Sequence, residues 1–158
     1  MRTFQKVKGA PIFFNQNKER VGIVSDLVLS YKKEKVKGYW IQTGRWWSKK
    51  HFLPIEDIVH VDGDGMYVNN NINLKPIAKK DKRLCEGRDH IIGKPLRKKD
   101  GATIGLIEDV YFLPDTGMIV GYELTEGLFS DLQDGVRVVK SKTPLLYENN
   151  YFVMSSES

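Results

Sequence analysis

Among 158 residues there is a single cysteine, Cys85, so no disulfide can form within the chain. A small secreted domain braced by disulfides is excluded, and a reducing, cytoplasmic setting is the expectation. Long apolar runs are missing as well. No stretch approaches the roughly 18 consecutive apolar residues that a membrane span requires. The opening Met1-Arg2-Thr3-Phe4-Gln5-Lys6 lacks the apolar core of a secretory signal. The three histidines, His51, His60 and His90, are scattered, and none stands at metal-ligand spacing from Cys85 or from another histidine, which argues against zinc. Asp62-Gly63-Asp64-Gly65 begins like a calcium loop, but Met66 occupies the third ligand position and Asn73 stands where the bidentate glutamate belongs. A hairpin turn is the reading there. Neither a Gly-Xaa-Gly-Xaa-Xaa-Gly pattern nor a P-loop appears. No catalytic residue, metal site or cofactor is assigned, and the expectation is a protein without enzymatic activity. A long apolar period of 3.6 residues is also absent, which excludes a helical domain. What remains is 41% hydrophobic and 28% charged, an ordinary foldable composition with room for one domain or two very small ones.

The net charge of +5 conceals an asymmetry. Residues 1–80 carry 15 basic and 7 acidic side chains, whereas residues 81–158 carry 10 basic and 13 acidic ones. The densest basic stretch, 75–99, holds 10 basic and 3 acidic residues; from Thr103 onward there are 3 basic and 9 acidic. Such a dipole favours an anionic partner on one face through its summed field and counterion release. The same pattern also suits a charged linker that stays solvated.

Self-similarity organises the chain. Gly9-Ala10-Pro11-Ile12 matches Gly93-Lys94-Pro95-Leu96, 84 residues later. Gly22-Ile23-Val24-Ser25-Asp26-Leu27-Val28 matches Gly105-Leu106-Ile107-Glu108-Asp109-Val110-Tyr111, and Val36-Lys37-Gly38-Tyr39 matches Ile119-Val120-Gly121-Tyr122, both at an offset of 83. Asp64-Gly65-Met66-Tyr67-Val68 aligns with Asn149-Asn150-Tyr151-Phe152-Val153 at an offset of 85. Each copy reads as short strands: Val21, Ile23, Leu27 and Leu29 in one, and Ile104, Leu106, Val110 and Phe112 in the other. Turn chemistry separates them. Lys99-Asp100-Gly101 and Pro114-Asp115-Thr116-Gly117 supply glycine for the bend, while Asn15-Gln16-Asn17-Lys18 and Lys32-Lys33-Glu34-Lys35, at the equivalent places, are weaker turn chemistry. The expected class is all-β, two tandem small β-barrels with short helical turns, one of the turns at Pro54–Ile58. The expected divisions are a first barrel over 1–74, a basic linker over 75–88, a second barrel over 89–155, and a tail over 156–158. Cores this small are thin, so the barrels should pack against each other or against a second chain.

Both copies resemble the PRC-barrel family. The resemblance rests on the Gly-Xaa-Pro starts (Gly9 to Pro11, Gly93 to Pro95), the Gly-apolar-apolar-Xaa-Asp strands (Gly22 to Asp26, Gly105 to Asp109) and the apolar-Xaa-Gly-Tyr strands (Val36 to Tyr39, Ile119 to Tyr122). In the first copy Phe52-Leu53-Pro54-Ile55-Glu56-Asp57-Ile58 adds the family's apolar-Pro-Xaa-Xaa-Asp-apolar segment. The second copy departs there, since Val138-Val139-Lys140-Ser141 offers neither the proline nor the acid. The resemblance implies PRC-type barrels and a binding role. The family takes its name from the cytoplasmic domain of the photosynthetic reaction-centre H subunit. It also includes the C-terminal barrel of a ribosome-maturation factor. This chain has neither the H subunit's membrane helix nor the ribosome factor's other domain, so neither function transfers directly.

Two surface features are candidate sites. The loop with Arg45, Trp46, Trp47, Lys49 and Lys50 sets indoles among cations, chemistry that suits a nucleic acid or an acidic protein. Trp46 or Trp47 can equally cap the barrel or pack between barrels. The counterpart loop at Gly127–Gly135 is acidic and apolar. In the linker, Lys79, Lys80, Lys82, Arg83 and Arg88 form a candidate anion clamp without interleaved aromatics. Asp26 and Asp109 recur because the barrel recurs, and a strand-turn or capping role is expected of them. Cys85 reads as a plain linker cysteine, with a mildly lowered thiol pKa as the alternative. The first functional expectation is a non-enzymatic interaction or adaptor module with a protein partner or self-association. An RNA- or ribosome-associated factor using the basic half comes second. A peripheral partner of a membrane electron-transfer complex, touching anionic lipid or an acidic protein face, comes third.

Overall fold

The computed structural model describes the chain apart from residues 31, 45–48, 77, 79–80, 126–136, 141–143 and 156–158. Among the described residues it is nearly all strand, and its longest helix, α1 (Phe4–Val7), has four residues. The first barrel contains β2 (Pro11–Phe14), β3 (Arg20–Ser30), β4 (Lys35–Thr43), β5 (Lys49–Pro54), β6 (Ile58–Val61) and β7 (Met66–Val68). The second contains β9 (Pro95–Lys98), β10 (Thr103–Phe112), β11 (Ile119–Thr125), β12 (Arg137–Val139), β13 (Leu146–Glu148) and β14 (Tyr151–Met154). Two short strands, β1 (Arg2–Thr3) and β8 (Lys82–Arg83), complete the set. The sheets run β5-β4-β3-β2-β7-β6 and β12-β11-β10-β9-β14-β13, the same order twice. The expected helical turn is present as a 3-10 turn at Ile55–Asp57.

Turn chemistry differs between the copies as their sequences require. Gly101 carries a φ of +93° and Asp100 Oδ1 accepts the Ala102 N–H at 2.9 Å. At the equivalent place the first copy has no glycine, and Lys18 takes the left-handed conformation at φ +59°. The next hairpin repeats this: Gly117 sits at φ +80° and its equivalent Glu34 at +49°. The offset of 85 expected for the last strand does not hold. β7 runs parallel to β2 with Ile12 opposite Met66, and β14 runs parallel to β9 with Leu96 opposite Phe152. Ile12 and Leu96 are equivalent, so Met66 matches Phe152 at an offset of 86. Pairing Tyr67 with Phe152 would have turned the strand's faces over, because side chains alternate with period 2. The core phase of β3 differs too: Val24 is buried there, while Val21 and Ile23 are half-buried.

Each long strand is bulged at the same place. Register shifts fall between Val24 and Asp26 and between Ile107 and Asp109. A bulge re-aims the following side chain, and both aspartates are fully buried. What they meet is the lead-in of the opposite barrel. β1, which precedes the first barrel, pairs with β10 of the second; β8, which precedes the second barrel, pairs with β3 of the first. Asp109 accepts the backbone N–H groups of Phe4 (2.9 Å) and Gln5 (3.1 Å). Asp26 accepts those of Cys85 (3.0 Å) and Glu86 (3.0 Å). Each carboxylate also caps the N–H of its own successor, Val110 or Leu27. The capping role expected for these acids is therefore observed, and its purpose is to pin a crossed segment.

The two hairpin tips also meet. Lys35 bridges Met118, its own repeat equivalent, which places a local two-fold axis between the barrels. Val36 N–H donates to Gly117 O at 2.7 Å, and Ile119 N–H donates to Glu34 O at 3.1 Å. Tyr39 and Phe112 touch edge to face, with ring centroids 6.5 Å apart. One apolar cluster joins residues of both barrels with the lead-in residues Phe4, Val7, Leu84 and Ile91. The barrels thus pack against each other. The stretch expected to be an exposed connector is exposed at Lys75, Pro76 and Ala78, but Leu84 is wholly buried, because β8 is built into the first sheet.

Candidate functional site: a lysine groove on the first barrel

Along β4 the buried Val36 alternates with Lys35 and Lys37, so both ammonium groups leave from the outer face. Phe52 on β5 stands opposite Trp40 on the same face. β8 brings Asp81 and Lys82 alongside. Lys35, Lys37, Phe52, Asp81 and Lys82, together with Ser30, Lys32, Lys33 and Glu56, line a groove of about 680 Å³. A second groove of about 310 Å³ shares Asp81 and Lys82 and continues over Trp40, Arg83, Glu86, Arg88 and Asp89.

Ion pairs divide the cations. Lys37 Nζ lies 2.5 Å from Asp81, whose side chain is only 6% exposed, and Lys82 lies 2.5 Å from Asp89. The Lys82 hydrogen bond holds the Asp89 carboxyl below its ordinary range. Glu86 accepts from both Arg83 (3.1 Å) and Lys50 (3.2 Å). The Arg83 guanidinium also lies 5.6 Å from the Trp40 ring centroid. Among the described residues no carboxylate pairs with Lys32, Lys33 or Lys35. Unpaired positive charge among the described residues therefore gathers at the Lys32–Lys35 tip, while in the 75–88 stretch Lys82 and Arg83 are paired and Lys75 and Arg88 are not.

Of the loop residues, Arg45, Trp46 and Trp47 lie outside the described residues, as does the counterpart loop at 127–135. Lys49 and Lys50 are exposed on β5. In the linker set, Lys79 and Lys80 lie outside the described residues, Lys82 and Arg83 are in ion pairs, and Arg88 is exposed beside the second groove. Glu86 joins the two sets by bridging Lys50 and Arg83. Sequence reading did not single out Lys32, Lys33, Lys35, Lys37 or Phe52. The signal was the alternation in Lys35-Val36-Lys37 directly after a two-lysine turn.

Other chemistry-bearing groups are structural. Burial raises the Asp26 carboxyl, against the lowering effect of three backbone N–H donors. Burial beside Asp26 pushes the Cys85 thiol up to about 12, the reverse of a mildly lowered value. Lys94 turns inward onto the carbonyls of His90 and Arg88, and burial lowers its pKa. Asp62 Oδ1 accepts the N–H groups of Asp64 (2.8 Å) and Gly65 (3.2 Å), closing a hairpin turn. No group of three or more potential metal ligands clusters among the described residues.

A PRC-barrel domain model matches residues 1–73 and 87–145. The chain belongs to the PRC-barrel family. The match pauses between the two PRC barrels, across the stretch that holds β8 and the buried Leu84. A similar protein is Uncharacterized protein YrrD of Bacillus subtilis (strain 168), 29% identical over 148 residues, which span 92% of this chain and 82% of that protein. No helix among the described residues is long and apolar enough to cross a membrane.

Proposed function

We propose that the tandem PRC barrels act as one non-catalytic adaptor in the cytoplasm, presenting the lysine groove to an anionic face of a protein partner. One observation carries this reading. Five lysines, Lys32, Lys33, Lys35, Lys37 and Lys82, line a concave surface whose only acids among the described residues are Glu56 and Asp81. Concentrated charge of one sign steers a complementary surface and fixes its orientation. The shared core and the crossed lead-in segments support a module that docks as a unit. Affinity purification of the full chain from cells, with mass spectrometry, tests the reading. A protein captured by the native chain and lost with Lys32→Ala/Lys33→Ala/Lys35→Ala supports it; equal capture by both refutes it.

The RNA- or ribosome-associated reading draws on the same positive face and on the Arg83–Trp40 contact. Co-sedimentation with ribosomal particles that weakens steeply with salt would favour it over the adaptor. Flotation with anionic vesicles would instead favour the membrane-peripheral reading.

A further inference from the structure

We infer that the occupant of the lysine groove is an acidic peptide segment, an extended stretch of Glu or Asp whose carboxylates pair with Lys32, Lys33 and Lys35. This rests on the adaptor reading and adds the chemistry of the partner. The groove already holds one such ligand: the Asp81 carboxylate sits on Lys37 at 2.5 Å with its side chain 6% exposed. A peptide carboxylate placed beside it would continue the arrangement toward the tip, where three ammonium groups lack a counter-charge among the described residues. Phe52, on the groove wall, offers apolar contact to the methylenes of a glutamate side chain.

Other anions fit less well. Single-stranded nucleic acid needs open aromatic faces on which bases stack. Phe52 is the one aromatic side chain on this groove's described wall, and in the adjoining groove the Trp40 ring lies under the Arg83 guanidinium, which Glu86 engages. A membrane surface would engage exposed apolar side chains, and of Met1, Val59, Met118, Val138 and Leu146 none lines this groove, Met118 alone standing beside Lys35.

The test is fluorescence anisotropy with labelled hexaglutamate, against labelled hexauridylate at the same ionic strength. The full chain should bind hexaglutamate more tightly, with an affinity that falls as salt rises. Lys32→Ala/Lys33→Ala/Lys35→Ala should weaken it by about tenfold, three exposed pairs being lost. Lys98→Ala/Lys99→Ala, on an exposed turn of the second barrel, should leave it unchanged. Circular dichroism establishes that each variant is folded, and the single variant Lys33→Ala, expected to lose about twofold, serves if the triple variant is not. Tighter binding of hexauridylate, or hexaglutamate binding indifferent to the groove lysines, overturns the inference. If hexaglutamate fails while the native chain still captures a protein through these lysines, only the acidic-segment inference falls. If capture fails as well, the adaptor reading falls with it.

Discussion

Replacing Asp26 with alanine should release the segment that leads into the second barrel. The carboxylate is wholly buried and accepts the N–H groups of Leu27 at 2.8 Å, Cys85 at 3.0 Å and Glu86 at 3.0 Å. Alanine leaves all three donors without that acceptor, and a buried unsatisfied group costs about 1–3 kcal/mol. Some of this is recovered, because burial itself opposes the ionised carboxyl, as its raised pKa records. Water reaching the Glu86 end, which is exposed, recovers more. A net loss of about 3 kcal/mol follows, equivalent to a melting temperature lower by roughly 6–12 °C for a chain of this size. Thermal unfolding by circular dichroism measures the loss, and amide exchange locates it: Cys85 and Glu86 should lose protection while the β9–β10 hairpin keeps its own. The equivalent Asp109→Ala should do the same at Phe4 and Gln5. An unchanged melting temperature with undisturbed exchange at Cys85 and Glu86 would refute the view that these acids fasten the crossed segments.

Titration of Asp26 carries a sign. Its carboxyl pKa is raised above 3.8, so the folded state holds the proton longer, and this group's contribution to stability is full below that value and lost as pH rises through the folded pKa. Asp26→Asn should flatten that part of the pH–stability curve measured by thermal unfolding. Gly117→Ala should cost about 2–3 kcal/mol, because the residue sits at φ +80° and its new Cβ would lie 2.0 Å from the Val36 carbonyl oxygen across the barrel contact. Gly101→Ala, at φ +93° with nothing within 4 Å, should cost only about 1 kcal/mol, and chemical denaturation of the two variants separates strain from collision. The Cys85 thiol, pushed up to about 12, should react with a disulfide reagent at pH 8 at least ~100-fold slower than a free cysteine until the chain unfolds.

Much of the architecture was legible because the repeat is local and strict. Gly22 to Gly38 and Gly105 to Gly121 keep one spacing, and both pairs fall in corresponding strands. The last strand slipped by one residue because Asn149 and Asn150 alone form the turn where the first copy uses Asp62 to Gly65, and only the parallel pairing to β9 fixes which side chain faces inward. The crossed lead-ins were not legible. Nothing local distinguishes Arg2-Thr3-Phe4 from an ordinary first strand, and the partners of Arg2 and Thr3 lie 110 and 108 residues away. Asp26 and Asp109 were visible as recurring acids, but their donors come from the other repeat. The groove was half legible: the lysine run was there to be counted, yet Phe52, Asp81 and Lys82 reach it only through folding.

The local two-fold makes the groove a controlled comparison within one molecule. Both copies preserve the bulged aspartate, the Gly-Tyr strand and the crossed lead-in, because each of these holds the shared interior together. On the outer face nothing imposes such agreement. At the offset of 83, Lys33 corresponds to Thr116, Lys35 to Met118, Lys37 to Val120 and Trp40 to Glu123. Met118 is 56% exposed, so its position is as free to carry a lysine as its counterpart is. Packing therefore does not explain the lysines of the first barrel. The unpaired Lys32, Lys33 and Lys35 repel one another and do not help the chain fold, and with the same strand order the second barrel does without them. That contrast supports the binding role proposed for the groove, and the expectation of one such surface per chain although the fold occurs twice.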